Sequence, residues 1–460
     1  MTDLSRREFI KTLGAGLSAS LVPSVESADD LPEGSPNIVV IFTDDQGYAD
    51  VGCYGAEGLT TPNLDRMADE GMRFTDFYVA APVCTPSRAA LLTGCYPKRL
   101  GLAYRVLFPY SNGGLNPDEI TIAELLKGRG YTTACIGKWH LGHHEKFYPT
   151  RQGFDYFFGA PYSNDMNGHY YRQHYYQSQP LPLMRNEETI EQNPDQRFLT
   201  KRYTEEAQQF IRNNKDRPFF VYLPHAMPHM PIHVSPGFAG SSEMGLYGDV
   251  IQEIDWSVGQ IMETLSELDL DRSTLVVFTS DNGPWHKGSA KPLRGKKNTT
   301  WEGGMREPCI MRWTGRIPAG SVCTELATAM DLLPTIAHLT GAKVPGDRII
   351  DGRSIWPLMS GQDDVRTPHE AFFYYRDNRL QAVRSGRWKL HTYRPEWGDD
   401  SAHAPLLYDL ETDIGETTDV AGRQPEVVKR LMRLAENARR DMGDAVTGDK
   451  GENVRPVGRL

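Results

Sequence analysis

Four apolar runs that each end in polar residues constrain the fold of this chain more than any other feature of its sequence. Short runs of β-branched and apolar residues are typical of buried parallel strands. Helical patterns such as TIAELLKGRG and TKRYTEEAQQFIRNN lie between the runs. The alternation predicts an α/β fold, with a large, mainly parallel or mixed sheet sandwiched by helices. The runs, with the polar residues that follow them, are IVVIFT with Asp44 and Asp45, TTACIG with Lys138 and His140, FFVYLP with His225 and His229, and TLVVFTS with Asp281 and Asn282.

The chain changes character after residue 360. The pieces AFFYYRDN, LQAVRSGRWKLHTY and APLLYDLETD are short and strand-like, and the helical pattern QPEVVKRLMRLAENARRDM follows them. This order predicts a smaller antiparallel sheet with a terminal helix. The polar end, TGDKGENVRPVGRL, is expected to be either disordered or a surface arm. We therefore expect a catalytic domain over residues 35–360 and a C-terminal subdomain over residues 361–460.

The start of the chain has the pattern of an export signal. Arg6 and Arg7 in SRREFIKTLGAGLSASLVP precede a short, weakly apolar stretch, which is typical of a twin-arginine signal, although an ordinary basic helix is the alternative. Residues 1–30 are therefore excluded from the fold, and a periplasmic or extracellular location with passage through the twin-arginine machinery is predicted. The stretch is too short and too polar for a membrane span. A net charge of -10 argues against nucleic-acid binding.

The two pairs Asp44-Asp45 and Asp281-Asn282 are predicted to hold a divalent cation. Carboxylate and amide oxygens are the ligands that calcium and magnesium prefer. Adjacent carboxylates repel each other unless positive charge lies between them. Either pair alone would be equally typical of loop-capping residues at strand ends. The ends of parallel strands lie at one edge of a sheet, so the two pairs together favour a metal.

The remaining polar residues at the strand ends form a cationic, proton-transferring set. Histidine exchanges protons near neutral pH, and lysine stabilises anions. The Pro-rich stretch PHAMPHMP cannot form a regular helix and is predicted to be an active-site loop. The set comprises Lys138, His140, His225, His229 and one of the two lysines Lys296 and Lys297.

The stretch PVCTPSRAALLTG poses the question of what Cys84 does. Pro86 favours a helix that starts just after Cys84, and Arg88 lies one helical turn beyond Cys84, so both can face one anion. A core thiol and a disulfide half are alternatives, but the six cysteines show no paired or zinc-type spacing. The Cys-to-Arg spacing differs from that of tyrosine phosphatases, and the papain-type signature is missing. Together these residues predict a site for an anionic tetrahedral ester, with a cation and histidine acid-base chemistry.

The segment CTPSRAALLTG resembles the signature of the type I sulfatases, within the alkaline-phosphatase-like superfamily. IVVIFTDDQGYADVGCYG, TPNLDRMADEGMRFTDFY, GYTTACIGKWHLG, SDNG, LRGKKNTTWEGGMREP and AVRSGRWKL also resemble sulfatase segments, in the usual order. The resemblance implies that a formylglycine-generating enzyme converts Cys84 to formylglycine. The hydrated aldehyde then serves as the nucleophile, so Cys84 is expected to be a precursor rather than a reacting thiol.

The resemblance also implies a role for each candidate residue. Arg88 would stabilise the aldehyde hydrate and the metal site, and His140 would assist deprotonation of the hydrate. The sulfate oxygens would be held by Lys138, His229 and Lys297. Lys296 and Asn298 depart from the usual pattern and leave open which lysine reaches the sulfate. One calcium ion would be bound by Asp44, Asp45, Cys84, Asp281 and Asn282.

The resemblance is to the branch of arylsulfatase A and N-acetylgalactosamine-6-sulfatase, and it implies an exo-acting enzyme on a sulfated carbohydrate. The segment GAPYSNDMNGHYYRQHYYQ, with Asn164 and Asp165, is predicted to line a sugar-binding rim or to be a surface insertion packed by its own tyrosines. His225 is expected either to touch the sugar or to be structural. The alternative functions are a formylglycine-dependent phosphonate or phosphodiester hydrolase and a silent carbohydrate-binding protein.

Overall fold

The computed structural model describes residues 35–167, 179–393 and 405–460. The predicted export signal, residues 1–30, lies outside these residues, as do residues 168–177 of the predicted sugar rim. Among the described residues, no helix is both long and apolar enough to cross a membrane.

The described chain forms seventeen strands and nine α-helices. The strands are β1 (Asn37–Thr43), β2 (Met72–Tyr78), β3 (Gly113–Gly114), β4 (Thr132–Lys138), β5 (Tyr156–Ala160), β6 (Pro182–Arg185), β7 (Glu188–Gln192), β8 (Phe219–Pro224), β9 (Thr274–Ser280), β10 (Arg306–Arg312), β11 (Ser321–Cys323), β12 (Ala327–Thr328), β13 (Phe372–Arg376), β14 (Arg379–Ser385), β15 (Trp388–His391), β16 (Leu406–Asp409) and β17 (Gly458–Arg459). The helices are α1 (Pro62–Asp69), α2 (Cys84–Thr93), α3 (Ile122–Lys127), α4 (Leu199–Asn213), α5 (Leu246–Glu267), α6 (Glu302–Met305), α7 (Leu332–Thr340), α8 (Trp356–Met359) and α9 (Pro425–Met442).

The main sheet has eleven strands, and its centre is parallel. Its order is β11-β2-β10-β9-β1-β8-β4-β5-β6-β7, with β12 beside β2. The strands β9, β1, β8, β4 and β5 run parallel to one another, whereas β10 and β6 run antiparallel to their neighbours. The four apolar runs singled out in the sequence are β1, β4, β8 and β9, which are neighbours in this sheet. The predicted mixed sheet is therefore confirmed, and the four polar strand ends lie at one edge.

Helices cover both faces of the sheet, and the side chains of β1 alternate between them. Ile38, Val40 and Phe42 pack into a core that also contains residues of α2, α3, α7 and α9. Val39 and Ile41 pack into the opposite core, with residues of α1, α4 and α5. All five side chains are fully buried. A strand that is apolar on both faces is expected where helices cover a parallel sheet on both sides.

A second, four-stranded antiparallel sheet has the order β13-β14-β15-β16, and α9 packs on β14 and β15. The end of the chain is an ordered arm, because β17 pairs with β3, whose strand lies between α2 and α3 in sequence. Arg455 in this arm forms an ion pair with Glu119 at 2.7 Å. The sequence prediction of a small antiparallel sheet with a terminal helix is therefore confirmed, and the polar end is a surface arm.

Two glycines allow the carboxyl ends of β8, β4 and β5 to approach closely. A Cβ on Gly159 in β5 would lie 1.8 Å from the carbonyl oxygen of Gly137 in β4. A Cβ on Gly137 would lie 2.0 Å from the carbonyl oxygen of Pro224 in β8, and Gly137 has φ +134°, which favours glycine. The residue after Gly137 is Lys138, so this close packing fixes the point at which its side chain leaves the sheet.

We expect Gly159→Ala to destabilise the protein, because the new methyl group would clash with the backbone of Gly137. The clash must force β5 away from β4. Overpacking of this kind costs about 1–3 kcal/mol. The measurement is the thermal unfolding midpoint against that of Gly237→Ala, whose Cβ would meet no atom within 4 Å. Equal midpoints for the two variants would contradict this account of the strand spacing.

Candidate active site

Carboxylates at the ends of β1 and β9 meet at the carboxyl edge of the sheet. The side-chain amide of Asn282 donates to Asp45 Oδ1 at 2.8 Å, and the backbone N–H of Asp45 donates to Asp281 Oδ1 at 3.1 Å. Asp45 has φ +64°, a left-handed conformation that Asp tolerates better than most residues. Because β1 and β9 are paired in register from Asn37 to Thr43, their ends bring these polar residues together.

Cys84 lies at the start of α2 and points into this carboxylate cluster. The helix begins at Cys84 itself, one residue before the start just after Cys84 that the sequence predicted. A proline in the first turn is compatible with this start because the first N–H groups of a helix have no helical partner. Cys84 is 2% exposed, and its thiol donates to Asp44 Oδ1 across 3.6 Å. All six cysteines are free, so a disulfide role for Cys84 is excluded.

Arg88 joins helix α2 to both carboxylate strands. Its guanidinium Nη2 lies 2.8 Å from Asp281 Oδ2 and 3.1 Å from Asp44 Oδ2, and its Nη1 donates to the Lys138 carbonyl at 3.1 Å. Arg88, Asp44 and Asp281 are all fully buried. The arginine therefore fixes the relative positions of α2, β1, β4 and β9.

Lys138 at the end of β4 lies between Asp44 and a serine that the sequence analysis missed. Its ammonium Nζ is 2.5 Å from Asp44 Oδ2 and donates to Ser163 Oγ at 3.0 Å. Ser163 Oγ is also 3.5 Å from His229 Nδ1. Ser163 follows β5, which is a fifth parallel strand of the sheet. The rule applied to the other four strand ends would have found this serine had FFGA been identified as a strand.

Of the two neighbouring lysines, Lys297 enters the cluster. Its Nζ is 2.5 Å from Asp45 Oδ1 and 3.5 Å from Cys84 Sγ. Lys296 turns the other way and donates to the Gly288 carbonyl at 2.7 Å. Asn298, which departs from the usual glycine, has φ +68°, and its N–H donates to the Pro82 carbonyl at 3.0 Å. Asn enters the left-handed region at low cost, so the turn keeps its shape.

His140 is held in one tautomer by a carbonyl that is close in space but distant in sequence. Its Nε2 lies 2.9 Å from the Leu107 carbonyl, so Nε2 carries the hydrogen and donates it. Nδ1 is buried without a hydrogen-bond partner. Burial, and then the charges of Lys138 and Arg88, hold the pKa of His140 well below its usual value. The neutral ring therefore presents Nδ1 as a proton acceptor.

His229 stands at the open side of the cluster, with its side chain 13% exposed. Its Nδ1 lies 2.7 Å from the Met230 carbonyl and 3.2 Å from Asn164 Oδ1, and its Nε2 lies 3.7 Å from Asp45 Oδ2. Burial, and then Lys297, lower the pKa of His229. Because the Met230 carbonyl and Asn164 Oδ1 both accept hydrogen bonds, Nδ1 carries the hydrogen and the ring presents Nε2 to the cluster.

The predicted substrate-binding residues occupy three different environments. Asn164 is 1% exposed and orients His229, while its amide donates to Gln196 and Pro231. Asp165 is half-buried, with one carboxylate oxygen buried and unpartnered. His225 is fully buried, and its Nε2 lies 3.2 Å from Ser257 Oγ in α5. The structure therefore brings Asn164 to the cluster through His229 and places His225 against α5.

The electrostatics of the cluster favour a charged Asp44 and a neutral Cys84 thiol. Burial opposes ionisation of Asp44, but Lys138 and Arg88 hold its pKa well below the usual range. Burial, and then the charge of Asp44, raise the pKa of the Cys84 thiol well above its usual value. Cysteine acts as a nucleophile only as the thiolate. An unmodified Cys84 is therefore a poor nucleophile in this environment.

The donor set fits a hard divalent cation. Ligand atoms of Asp44, Asp45, Cys84 and His229 all lie within 4.8 Å of one another. Asp45 Oδ2 and Asn282 Oδ1 are buried oxygens without a hydrogen-bond partner. Burying such groups unpaired is costly, and a cation would satisfy both of them. The side chains of Asp44, Asp45 and Asn282 are therefore suited to hold a metal through oxygen ligands.

Comparison with known proteins agrees with this geometry. The sulfatase family model matches residues 36–342, and a model described as the C-terminal region of aryl-sulfatase matches residues 367–456. The chain is 41% identical to arylsulfatase A of Homo sapiens, with 87% of each chain covered. It is 38% identical to N-acetylgalactosamine-6-sulfatase of Canis lupus familiaris, with 91% of this chain and 88% of that one covered.

Among solved structures, the chain is similar to Ps i-CgsB in complex with k-i-k-neocarrahexaose. The TM-score is 0.78 at 31% identity, with 88% of this chain and 92% of that chain covered. Two family models and relatives above 30% identity thus cover most of the chain. The protein therefore belongs to the sulfatase family, enzymes of alkaline-phosphatase-like fold that hydrolyse sulfuric esters.

Proposed function

We propose that this sulfatase is an exo-acting enzyme that removes sulfate from a sulfated carbohydrate, with formylglycine at position 84 and one calcium ion. The observation that carries the proposal is the position of Cys84. It is buried at the start of a helix, between Asp44 and the ammonium of Lys297, in a setting that keeps a thiol protonated. Such a residue is well placed to carry a nucleophile but is unsuited to be one as cysteine.

The cofactors supply two kinds of chemistry to this site. Formylglycine, in its hydrated form, supplies an oxygen nucleophile, and a calcium ion supplies positive charge that polarises the ester. Calcium would be held by Asp44, Asp45, Asp281, Asn282 and the modified residue 84. Arg88 keeps Asp44 and Asp281 at a fixed separation, and together with Lys138 it holds the pKa of Asp44 well below the usual range. Burial and the nearby charge of Asp44 raise the pKa of Asp281 to about 7, so the positive charge of a bound cation would favour its carboxylate form.

The side chains around the carboxylates perform the remaining tasks. Lys138 and Lys297 place two ammonium groups where negative charge develops on the sulfuryl oxygens, and fixed charges in a buried site stabilise such charge strongly. His140 accepts a proton at Nδ1, since its Nε2 hydrogen is committed to Leu107. His229 faces the open side and, once protonated at Nε2, donates to the departing sugar oxygen.

The opening of the site supports a carbohydrate as the substrate. Trp285 and His286 follow Asn282 on a turn that Lys296 and Lys297 hold through the carbonyls of Gly288 and Pro284. The two rings lie 4.2 Å apart between centroids; Trp285 is half-buried and His286 is exposed. Aromatic rings on rigid elements suit the apolar face of a sugar. The similarity to N-acetylgalactosamine-6-sulfatase and to Ps i-CgsB in complex with k-i-k-neocarrahexaose supports the same substrate class.

The burial of Cys84 also supports a fixed order of maturation. A formylglycine-generating enzyme cannot reach a side chain that is 2% exposed in the folded protein, so modification precedes folding. Export through the twin-arginine machinery, directed by residues 1–30 to the periplasm or outside, then follows folding. Exported, active protein that carried only unmodified Cys84 would refute this order.

We also infer a catalytic domain over residues 35–360 and a C-terminal subdomain over residues 361–460.

Release of sulfate from a panel of defined sulfated saccharides tests the proposed function. We expect turnover on at least one terminally sulfated saccharide, with a higher kcat/KM than on a matched phosphonate ester. Cys84→Ala should lower kcat by more than about 10⁴-fold, as expected for loss of the nucleophile. Cys53→Ala, which changes a half-buried cysteine outside the cluster, is the matched control.

Three outcomes of this panel would contradict the proposal. Preference for the phosphonate would favour the related phosphonate hydrolase function, and no turnover on any ester would favour a silent binding protein. Turnover confined to small aryl sulfates would rule out a carbohydrate as the substrate.

Trp285→Ala should raise KM for the saccharide and leave KM for an aryl sulfate unchanged if the aromatic turn contacts the sugar.

Calcium is expected to stabilise the folded protein. Saturating calcium at about 100 times its Kd adds about 2.7 kcal/mol to the free energy of unfolding, so chelation should lower the thermal midpoint. Asp45→Asn should abolish most of this calcium-dependent shift because it weakens a ligand. Asp155→Asn, which changes an exposed carboxylate outside the cluster, should retain the calcium-dependent shift. A thermal midpoint that does not respond to calcium in the wild-type protein or in Asp155→Asn would argue against a calcium site.

A further inference from the structure

A fully buried lysine of the C-terminal sheet, Lys389 in β15, contacts the segment that carries Lys297. Its Nζ donates to the Thr300 carbonyl at 2.8 Å and lies 2.8 Å from Glu302 Oε1 and 2.9 Å from Glu416 Oε1. Lys389, Glu302 and Glu416 are each 0% exposed. Three acceptors thus surround the three donors of one ammonium group, which is a complete match of hydrogen-bonding capacity.

Glu302, a member of the cluster around Lys389, is ionised despite its burial. Burial opposes ionisation of Glu302, but Lys389 and Arg306 hold its pKa below the usual range. The hydroxyl of Tyr374 donates to Glu302 Oε1 at 2.9 Å. Buried ion pairs contribute little net stability compared with an apolar core, but they fix geometry when every partner is satisfied. This cluster is therefore suited to set a position precisely in space rather than to add stability.

The segment from Lys297 to Glu302 is held at both ends. At its start, the N–H of Asn298 donates at 3.0 Å to the carbonyl of Pro82, two residues before Cys84. At its end, the N–H of Glu302 donates to Glu416 Oε2 at 2.7 Å, and Lys389 holds the Thr300 carbonyl. A shift of Lys389 or Glu416 would therefore be transmitted along five residues to the side chain of Lys297.

We propose that Lys389 is a positioning residue for Lys297. It locks the turn at Thr300 and Glu302 so that the Lys297 ammonium reaches both Cys84 Sγ, at 3.5 Å, and Asp45 Oδ1, at 2.5 Å. The inference rests on the proposed role of Lys297 as a ligand of the sulfuryl oxygens. In this role Lys389 connects the C-terminal sheet to catalysis, because it places the side chain of Lys297 without touching the substrate itself.

A double-mutant cycle on the mature enzyme tests this coupling. Lys389→Arg keeps the charge, but a planar guanidinium cannot place one nitrogen among three acceptors. We expect it to lower kcat/KM on an aryl sulfate about 10- to 100-fold, the loss typical of a displaced catalytic group. In a Lys297→Ala background the same change should cost less than about twofold, because coupled residues are not additive. Arg387→Met, which removes an exposed ion pair with Asp409 near the same strand, is the matched control.

Amide hydrogen exchange gives a readout that does not depend on activity. Peptides that cover residues 294–302 should exchange faster in Lys389→Arg, while peptides that cover β1 stay protected. If Lys389→Arg does not fold, Thr300→Val serves instead, because it removes only the hydroxyl bond to Gln381 at 3.0 Å. This milder variant is expected to lower kcat/KM in the same coupled manner, by a smaller factor.

Either of two results would overturn the proposal. The first is additive losses in the two backgrounds, which would mark Lys389 as a purely structural residue. The second is unchanged exchange at residues 294–302. If the wild-type protein hydrolysed no sulfate ester, the proposed function would fail, and the exchange experiment would still decide whether Lys389 holds the turn.

Discussion

The buried guanidinium of Arg88 is the interaction on which the site depends. It lies between Asp44 and Asp281, at the ends of two paired strands, and it comes from the helix that begins at Cys84. Without it, two carboxylates would face each other in a region closed to water, which would cost several kcal/mol. One arginine thus fixes the spacing of the two carboxylates and the position of the helix that carries residue 84.

The remaining side chains divide into a closed floor and an open rim. The floor, formed by Arg88, Lys138 and His140, is at most 1% exposed, whereas His229 and Lys297 retain 13% and 10% of their side-chain surface. In the proposed mechanism, a small tetrahedral anion meets fixed charges on the floor, and the leaving group stays on the side of the rim. The arrangement suits an enzyme that removes a terminal group from a larger molecule.

The sequence predicted the strand ends well because parallel strands place their carboxyl ends at one edge, whatever joins them. It missed Ser163, because FFGA is too short and too rich in glycine to be recognised as a strand. The start of α2 was predicted to within one residue, because proline is favoured in the first turn of a helix. The tautomer of His140 and the contacts of Lys389 depend on partners 33 and 87 residues away, and no local pattern encodes them.

The mass of the tryptic peptide FTDFYVAAPVCTPSR, residues 74–88, tests the central claim most directly. The protein should come from its native host or from cells that contain a formylglycine-generating enzyme, and its activity on a sulfate ester should be measured in the same preparation. The account predicts that residue 84 carries an aldehyde, detected as the peptide mass and as a hydrazide adduct. An active preparation in which residue 84 is entirely a thiol would contradict it.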